Sequence, residues 1–123
     1  MELILPQLAW HGNRDLTLFL PDDWEVQTRA MAGHDRRRLS ADEIGEAVRE
    51  PLGMAPLREY ARGKRRVVIL FDDMARVTRA ADIVPHVLEE LAAAGIRDGQ
   101  VRFICANGCH GAMDRLDFEK KLG

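Results

Sequence analysis

Two patterns of apolar and polar positions divide this chain. Over residues 1–40 the apolar segments are short: residues 3–8 and 16–20 flank His11-Gly12-Asn13-Arg14, whose turn chemistry predicts a β-hairpin. The run Asp15-Leu16-Thr17-Leu18-Phe19-Leu20 is too continuously apolar for clean alternation, so one face is expected in the core and the other partly covered. Pro21-Asp22-Asp23 then turns the chain, Trp24-Glu25-Val26 is expected to begin a further short strand, and residues 33–38 read as loop.

Beyond residue 39 the period changes. Ser40 and Glu43 have the spacing of a capping box, in which hydroxyl and carboxylate each take up an otherwise unpaired amide at a helix start. The helix predicted over 41–50 carries Ile44, Ala47 and Val48 as an apolar stripe and stops at Pro51. Residues 52–56 read as linker, and Pro56 suits the first turn of a short helix through Ala61, closed by Gly63. Arg66-Val67-Val68-Ile69-Leu70-Phe71 has the composition of a strand buried on both faces of a parallel sheet. A polar loop over 72–79 leads into a helix over 81–94, where Ile83, Val84, Val87, Leu88 and Leu91 recur at helical spacing. Pro85 is tolerated because it falls near the start, and Gly95 supplies a left-handed stop. Val101-Arg102-Phe103-Ile104-Cys105 is a second strand, Asn107-Gly108 a turn, and residues 113–122 a charged helix.

Strand, helix and strand of these lengths make a βαβ unit, expected to pair its strands in parallel through a right-handed crossover. Both carboxyl ends then lie at one edge, the place where open α/β sheets bind ligands. Loops 72–79 and 107–111 should flank a single crevice, bringing Asp72, Asp73, Arg76, Arg79, His110 and Cys109 close together. The expected architecture is a small α/β fold, residues 1–123 forming one domain. Residues 1–40 form its β-rich N-terminal part and residues 64–123 a parallel βαβ core with a C-terminal helix.

Composition narrows the function classes. A chain of 123 residues is about one domain, and 46% apolar with 31% charged residues is the balance of a soluble globular protein. A net charge of −2 offers no general attraction for nucleic acid or an anionic membrane. Arg36-Arg37-Arg38 lacks interleaved aromatics and reads as a solvated face rather than a nucleic-acid patch. No apolar run approaches the ~20 residues of a membrane-crossing helix. Nor does the start carry the charged leader and apolar stretch of a signal peptide, so a cytoplasmic location is expected. Cys105 and Cys109 are expected to be reduced thiols. The absence of a polar tail after the last helix reads as a piece of a larger protein.

His110, set between Gly108 and Gly111 at a strand end, is the strongest candidate for chemistry, because an imidazole there can take or give a proton near neutral pH. Asp73 and Arg76 can present an acceptor and a bidentate cation to one polar ligand, and Arg76 and Arg79 suit a carboxylate or phosphate. Asp72 reads as solvated or as a cap, and Asp72, Asp73 and His110 form only a loose metal-ligand set. Cys109 has no second histidine nearby in sequence to activate it as a nucleophile. His11, His34 and His86 read as solvated or satisfied, and Trp10 and Trp24 as packing residues. No P-loop and no dinucleotide-binding glycine fingerprint follows the first parallel strand.

At these same residues the chain resembles the amino-terminal domain of the nickel-pincer-nucleotide lactate racemase family. The likeness begins at Leu20-Pro21-Asp22, continues through Glu50-Pro51-Leu52-Gly53-Met54-Ala55-Pro56-Leu57 and covers the βαβ unit in order. The family's Asp-x-Thr-Arg-Pro-Thr loop is similar to Asp73-Met74-Ala75-Arg76-Val77-Thr78, and its Gly-x-His-Arg loop to Gly108-Cys109-His110-Gly111. The resemblance implies a fragment of a two-domain isomerase that racemises or epimerises 2-hydroxy acids by moving a hydride to and from a nickel-pincer nucleotide. It implies that His110 is one of two acid/base histidines, that Arg76 orients substrate or cofactor with Asp73 beside it, and that Thr78 and Gly108 complete the ligand-facing set. Ala75, Val77 and Gly111 depart from the family's threonine, proline and arginine, which points away from lactate itself. The cofactor lysine, the second histidine and the nickel ligand are implied to lie in a C-terminal domain outside this chain, which alone is expected not to turn over. The competing expectation is a non-catalytic module that keeps the crevice to bind a small carboxylate or sugar acid.

Overall fold

Leucine-rich stretches at the start of the chain pair as an antiparallel ribbon: β1, Glu2–Pro6, lies against β2, Asp15–Phe19, with Leu3 opposite Leu18 and Leu5 opposite Leu16. The computed structural model describes residues 1–6, 10 and 14–123, so the turn expected at His11, Gly12 and Asn13 falls outside the described residues. The Met1 ammonium closes the ribbon by donating to the Leu20 carbonyl at 2.9 Å and pairing with the Asp22 carboxylate. The expectation that residues 15–20 bury one face is not met within this unit, Met1–Arg38, where Phe19 is 81% exposed. A two-stranded ribbon by itself excludes water poorly from either side. The short strand expected at Trp24-Glu25-Val26 is absent as well; the Trp24 N–H closes a turn onto the Pro21 carbonyl at 3.3 Å, and the segment continues without a partner strand. Trp24 is exposed rather than packed.

The second unit, Leu39–Gly123, holds the βαβ core. Helix α1, Ala41–Arg49, begins with the capping box read from its sequence: the Glu43 N–H donates to Ser40 Oγ at 3.2 Å and the Ser40 N–H donates to the Glu43 carboxylate at 2.8 Å. A short α2, Leu57–Tyr60, starts at Pro56. Strand β3, Val67–Phe71, is followed by a loop, a 3-10 turn at Ala80–Asp82 and helix α3, Val84–Ala93, with Pro85 in its first turn. Gly95, at φ +84°, ends that helix in the left-handed region a glycine adopts without strain. Strand β4, Val101–Cys105, pairs with β3 in parallel, Val67 opposite Val101 and Phe71 opposite Cys105. Helix α4, Arg115–Leu122, follows.

The core sits between the sheet and its crossover helix. Ala61, Leu91 and Ile96 are buried, with Leu57, Val67, Ile69, Val87, Leu88 and Val101 packed around them. α3 also packs on α1, where Gly45 lets His86 approach the helix backbone: a methyl at that position would lie 3.0 Å from His86 Nδ1. One expectation is corrected here. β3 is covered on one face only, since Val68 is 54% and Leu70 68% exposed, and Ile104 of β4 lies open beside them. Parallel strands are apolar on both sides because helices normally cover both, and among the described residues the core packs against one.

Candidate active site

The ladder delivers the site. Its parallel register sets Phe71 opposite Cys105, and the Ala106 N–H continues the pairing onto the Phe71 carbonyl at 2.8 Å, so the two following loops leave the sheet side by side. In the first loop Asp73 folds over a tight turn: its carboxylate accepts from the Ala75 N–H at 2.9 Å and its carbonyl accepts from the Arg76 N–H at 3.2 Å. In the second, Gly108 takes φ +54°, the His110 N–H donates to the Asn107 carbonyl at 2.9 Å, and Asn107 Nδ2 donates to the His110 carbonyl at 3.1 Å. These bonds turn the imidazole back toward the first loop. His110 Nδ1 lies 2.5 Å from the Asp73 carboxylate, across 37 positions of sequence.

Asp73 is buried while His110 keeps a side chain 52% exposed. The hydrogen bond to His110 holds the Asp73 carboxyl below its ordinary range; burial opposes this, and the Ala75 amide and the Arg76 charge assist it. An ionised Asp73 accepts the Nδ1 proton, so the neutral ring keeps its lone pair on Nε2, which has no hydrogen-bond partner among the described residues. This is the arrangement in which a carboxylate fixes the tautomer and orientation of a general base. Arg76 projects from the same turn as an exposed residue, near enough to Asp73 to act on its charge.

A residue unmarked in the sequence reading holds this loop from below. Lys121, on the last turn of α4, is 0% exposed. Its Nζ donates to the Asp73 carbonyl at 3.0 Å and to the Arg76 carbonyl at 3.0 Å, and it pairs with the Asp72 carboxylate at 3.1 Å. Burial by itself raises the Asp72 carboxyl, but hydrogen bonds from Thr78 and Lys121 outweigh it and leave the group below its ordinary range. Asp72 is thus an ion-pair partner rather than a solvated cap. α4 reaches the loop because Asp114 caps it, accepting from the Leu116 and Asp117 amides, and because Phe118 packs edge-on to Phe71 with ring centres 5.4 Å apart. A lysine three positions beyond an inward phenylalanine lies on the same helix face, which was the available signal.

The structure therefore brings Asp73, Arg76 and His110 to one rim and divides the rest of the expected group. Thr78 is exposed, its hydroxyl engaged with Asp72. Arg79 lines a separate cleft of about 380 Å³ with Leu39, Ile44, Ala47, Val48, Asp82 and Ile83. Cys109 is an exposed free thiol; Cys105 is also free, half-buried, with Sγ 3.3 Å from Met113 Sδ, and burial pushes its pKa above 9.0. His86 packs on α1 with Nδ1 3.7 Å from the Glu89 carboxylate, and Arg36, Arg37 and Arg38 are exposed. Among the described residues no group of histidine, cysteine, aspartate and glutamate could hold a metal ion, and no helix is long and apolar enough to cross a membrane.

Residues 11–123 match the lactate racemase N-terminal domain, a span that includes both loops and α4. The chain belongs to this racemase domain family. It is 27% identical over 116 residues to a lactate racemase of Thermoanaerobacterium thermosaccharolyticum, and 26% identical over 115 residues to a lactate racemase of Lactiplantibacillus plantarum. Each match covers 92% of this chain and 27% of the relative, so the racemase domain described here spans about a quarter of the length of those proteins.

Proposed function

We propose that this racemase domain supplies the proton-transferring and carboxylate-orienting half of a site that racemises or epimerises 2-hydroxy acids. The observation that carries the proposal is the 2.5 Å pairing of His110 Nδ1 with a buried Asp73, which leaves Nε2 open, with the Arg76 charge near enough to act on the same carboxylate. Arg76 suits the substrate carboxylate through a two-pronged, charge-assisted contact. His110 Nε2 then accepts the hydroxyl proton as the α hydrogen departs with its electron pair, giving a planar keto acid; return of hydride to the opposite face and of the proton to oxygen inverts the centre. The imidazolium formed is balanced by Asp73. Gly108 keeps the loop free of a side chain, and Thr78 keeps Asp72 engaged below it.

The nickel-pincer nucleotide implied by the family likeness supplies the hydride acceptor when bound. The donors at this rim suit an organic acid, and the family likeness is what supports placing that group in the C-terminal domain of a larger protein. Ala75, Val77 and Gly111 favour a 2-hydroxy acid other than lactate. Two free thiols fit the reducing cytoplasm.

The test is turnover by the full-length protein on a panel of 2-hydroxy acids deuterated at C2. Inversion with the deuterium retained in product is expected, since a hydride returns whereas an abstracted proton exchanges with water. H110Q should lower kcat by about 10²–10⁴-fold. Binding of a hydroxy acid with no inversion in the cofactor-loaded protein would leave the module a carboxylate binder. Turnover by residues 1–123 alone, with cofactor added, would show that the missing half is not needed.

A further inference from the structure

Lys121 is an expensive residue to keep where it stands. An ammonium removed from water loses several kcal/mol of solvation, and an apolar side chain of similar volume is often at least as stabilising. On its helix it shares a face with Phe118 and the half-buried Asp117. Its ammonium nevertheless reaches one short stretch of chain, meeting the Asp73 and Arg76 carbonyls and the Asp72 carboxylate. An ammonium has three donors, and three acceptors meet it here. The two carbonyls belong to Asp73, whose carboxylate holds His110, and to Arg76, the proposed carboxylate-binding residue.

We propose that Lys121 is a positioning residue for the racemase site, locking Asp73 and Arg76 in mutual register and through Asp73 fixing the tautomer and direction of His110. The proposal rests on the reading of His110 as the acid/base group. The Asp73 carbonyl accepts both from Lys121 and from the Arg76 N–H, so the turn is held at both ends by one charge from a helix 48 positions away. Without that charge the Asp73 and Arg76 carbonyls lose their ammonium donor, the turn has other ways to satisfy them, and the carboxylate need not stay within 2.5 Å of the imidazole.

The experiment uses the full-length protein labelled with ¹⁵N-histidine, with H110Q to assign the His110 signals. Lys121→Met is expected to shift both ring nitrogens away from the carboxylate-bound Nδ1–H pattern and to lower kcat by roughly 10²-fold, with a smaller change in KM. Asp72→Asn, which leaves the carbonyl contacts in place, is expected to move the same signals in the same direction by less. If Lys121→Met does not fold, that second variant decides. Leu91→Ala, a core truncation remote from the site, should lose stability without moving the His110 signals or kcat at a temperature where it is folded. Unchanged His110 signals in folded Lys121→Met and Asp72→Asn would overturn the proposal, as would an equal loss of kcat in Leu91→Ala. Signals that move as expected while H110Q retains full racemisation would uphold the positioning role and remove the acid/base assignment instead.

Discussion

Asp73 is a buried carboxylate kept ionised by its neighbours, and the sign of its effect on stability follows from that. Its carboxyl, like that of Asp72, titrates below the ordinary 3.8, the first chiefly through His110 and the second through Thr78 and Lys121 acting against burial. A depressed folded-state value adds stability that is complete above the unfolded value and disappears as pH falls through the folded one. Urea midpoints should therefore hold from neutrality down to the ordinary carboxylate range and drop below it, and the D72N/D73N double variant should show a flatter acid limb. A wild-type midpoint that rises on acidification over that interval would contradict the pairing. The same residues show what was legible at this scale. Asp73, Arg76 and His110 could be found because they follow strands whose pairing dictates where the loops emerge. Lys121 is marked only by its spacing from Phe118, a weak signal, since the default for a lysine is the surface and it is the packing of Phe118 that turns its face inward. Arg79 was misplaced because the 3-10 turn at Ala80–Asp82 begins immediately after it and carries it to the α1 side.

Elements were read well where a local signal sufficed. The Ser40–Glu43 box, Gly95 and the β-branched run of β3 each act within a turn or a strand, and α1, α3, β3 and β4 lie where those signals place them. The misses needed information from elsewhere in the chain. Trp24-Glu25-Val26 has strand-forming residues without a strand to pair with, and the open side of β3 depends on which helices arrive. The two kinds of contribution should separate by size. Ser40→Ala removes one cap and is expected to cost about 1 kcal/mol. Leu91→Ala empties a position 1% exposed and is expected to cost about 2–5 kcal/mol, read as the difference in unfolding free energy in urea. Equal losses would mean that α1 carries more of the unit's stability than its one-sided packing on α3 allows.

At the scale of the whole molecule, the second unit combines a finished core with an unfinished exterior. α3 covers one side of the sheet, while Val68, Leu70 and Ile104 meet solvent on the other, with Arg65, Arg66 and Arg102 bordering a recess of about 570 Å³ there. That side bears on anyone handling the 123-residue polypeptide in isolation. Concentrated solutions should scatter light and brighten a hydrophobic dye, more so as salt screens the arginines. Leu70→Gln should quieten both signals while shifting the urea midpoint by no more than about 0.5 kcal/mol equivalent, because the leucine contributes little to folding where it stands. Its greasy flank makes this polypeptide soundly folded yet poor company for its own kind.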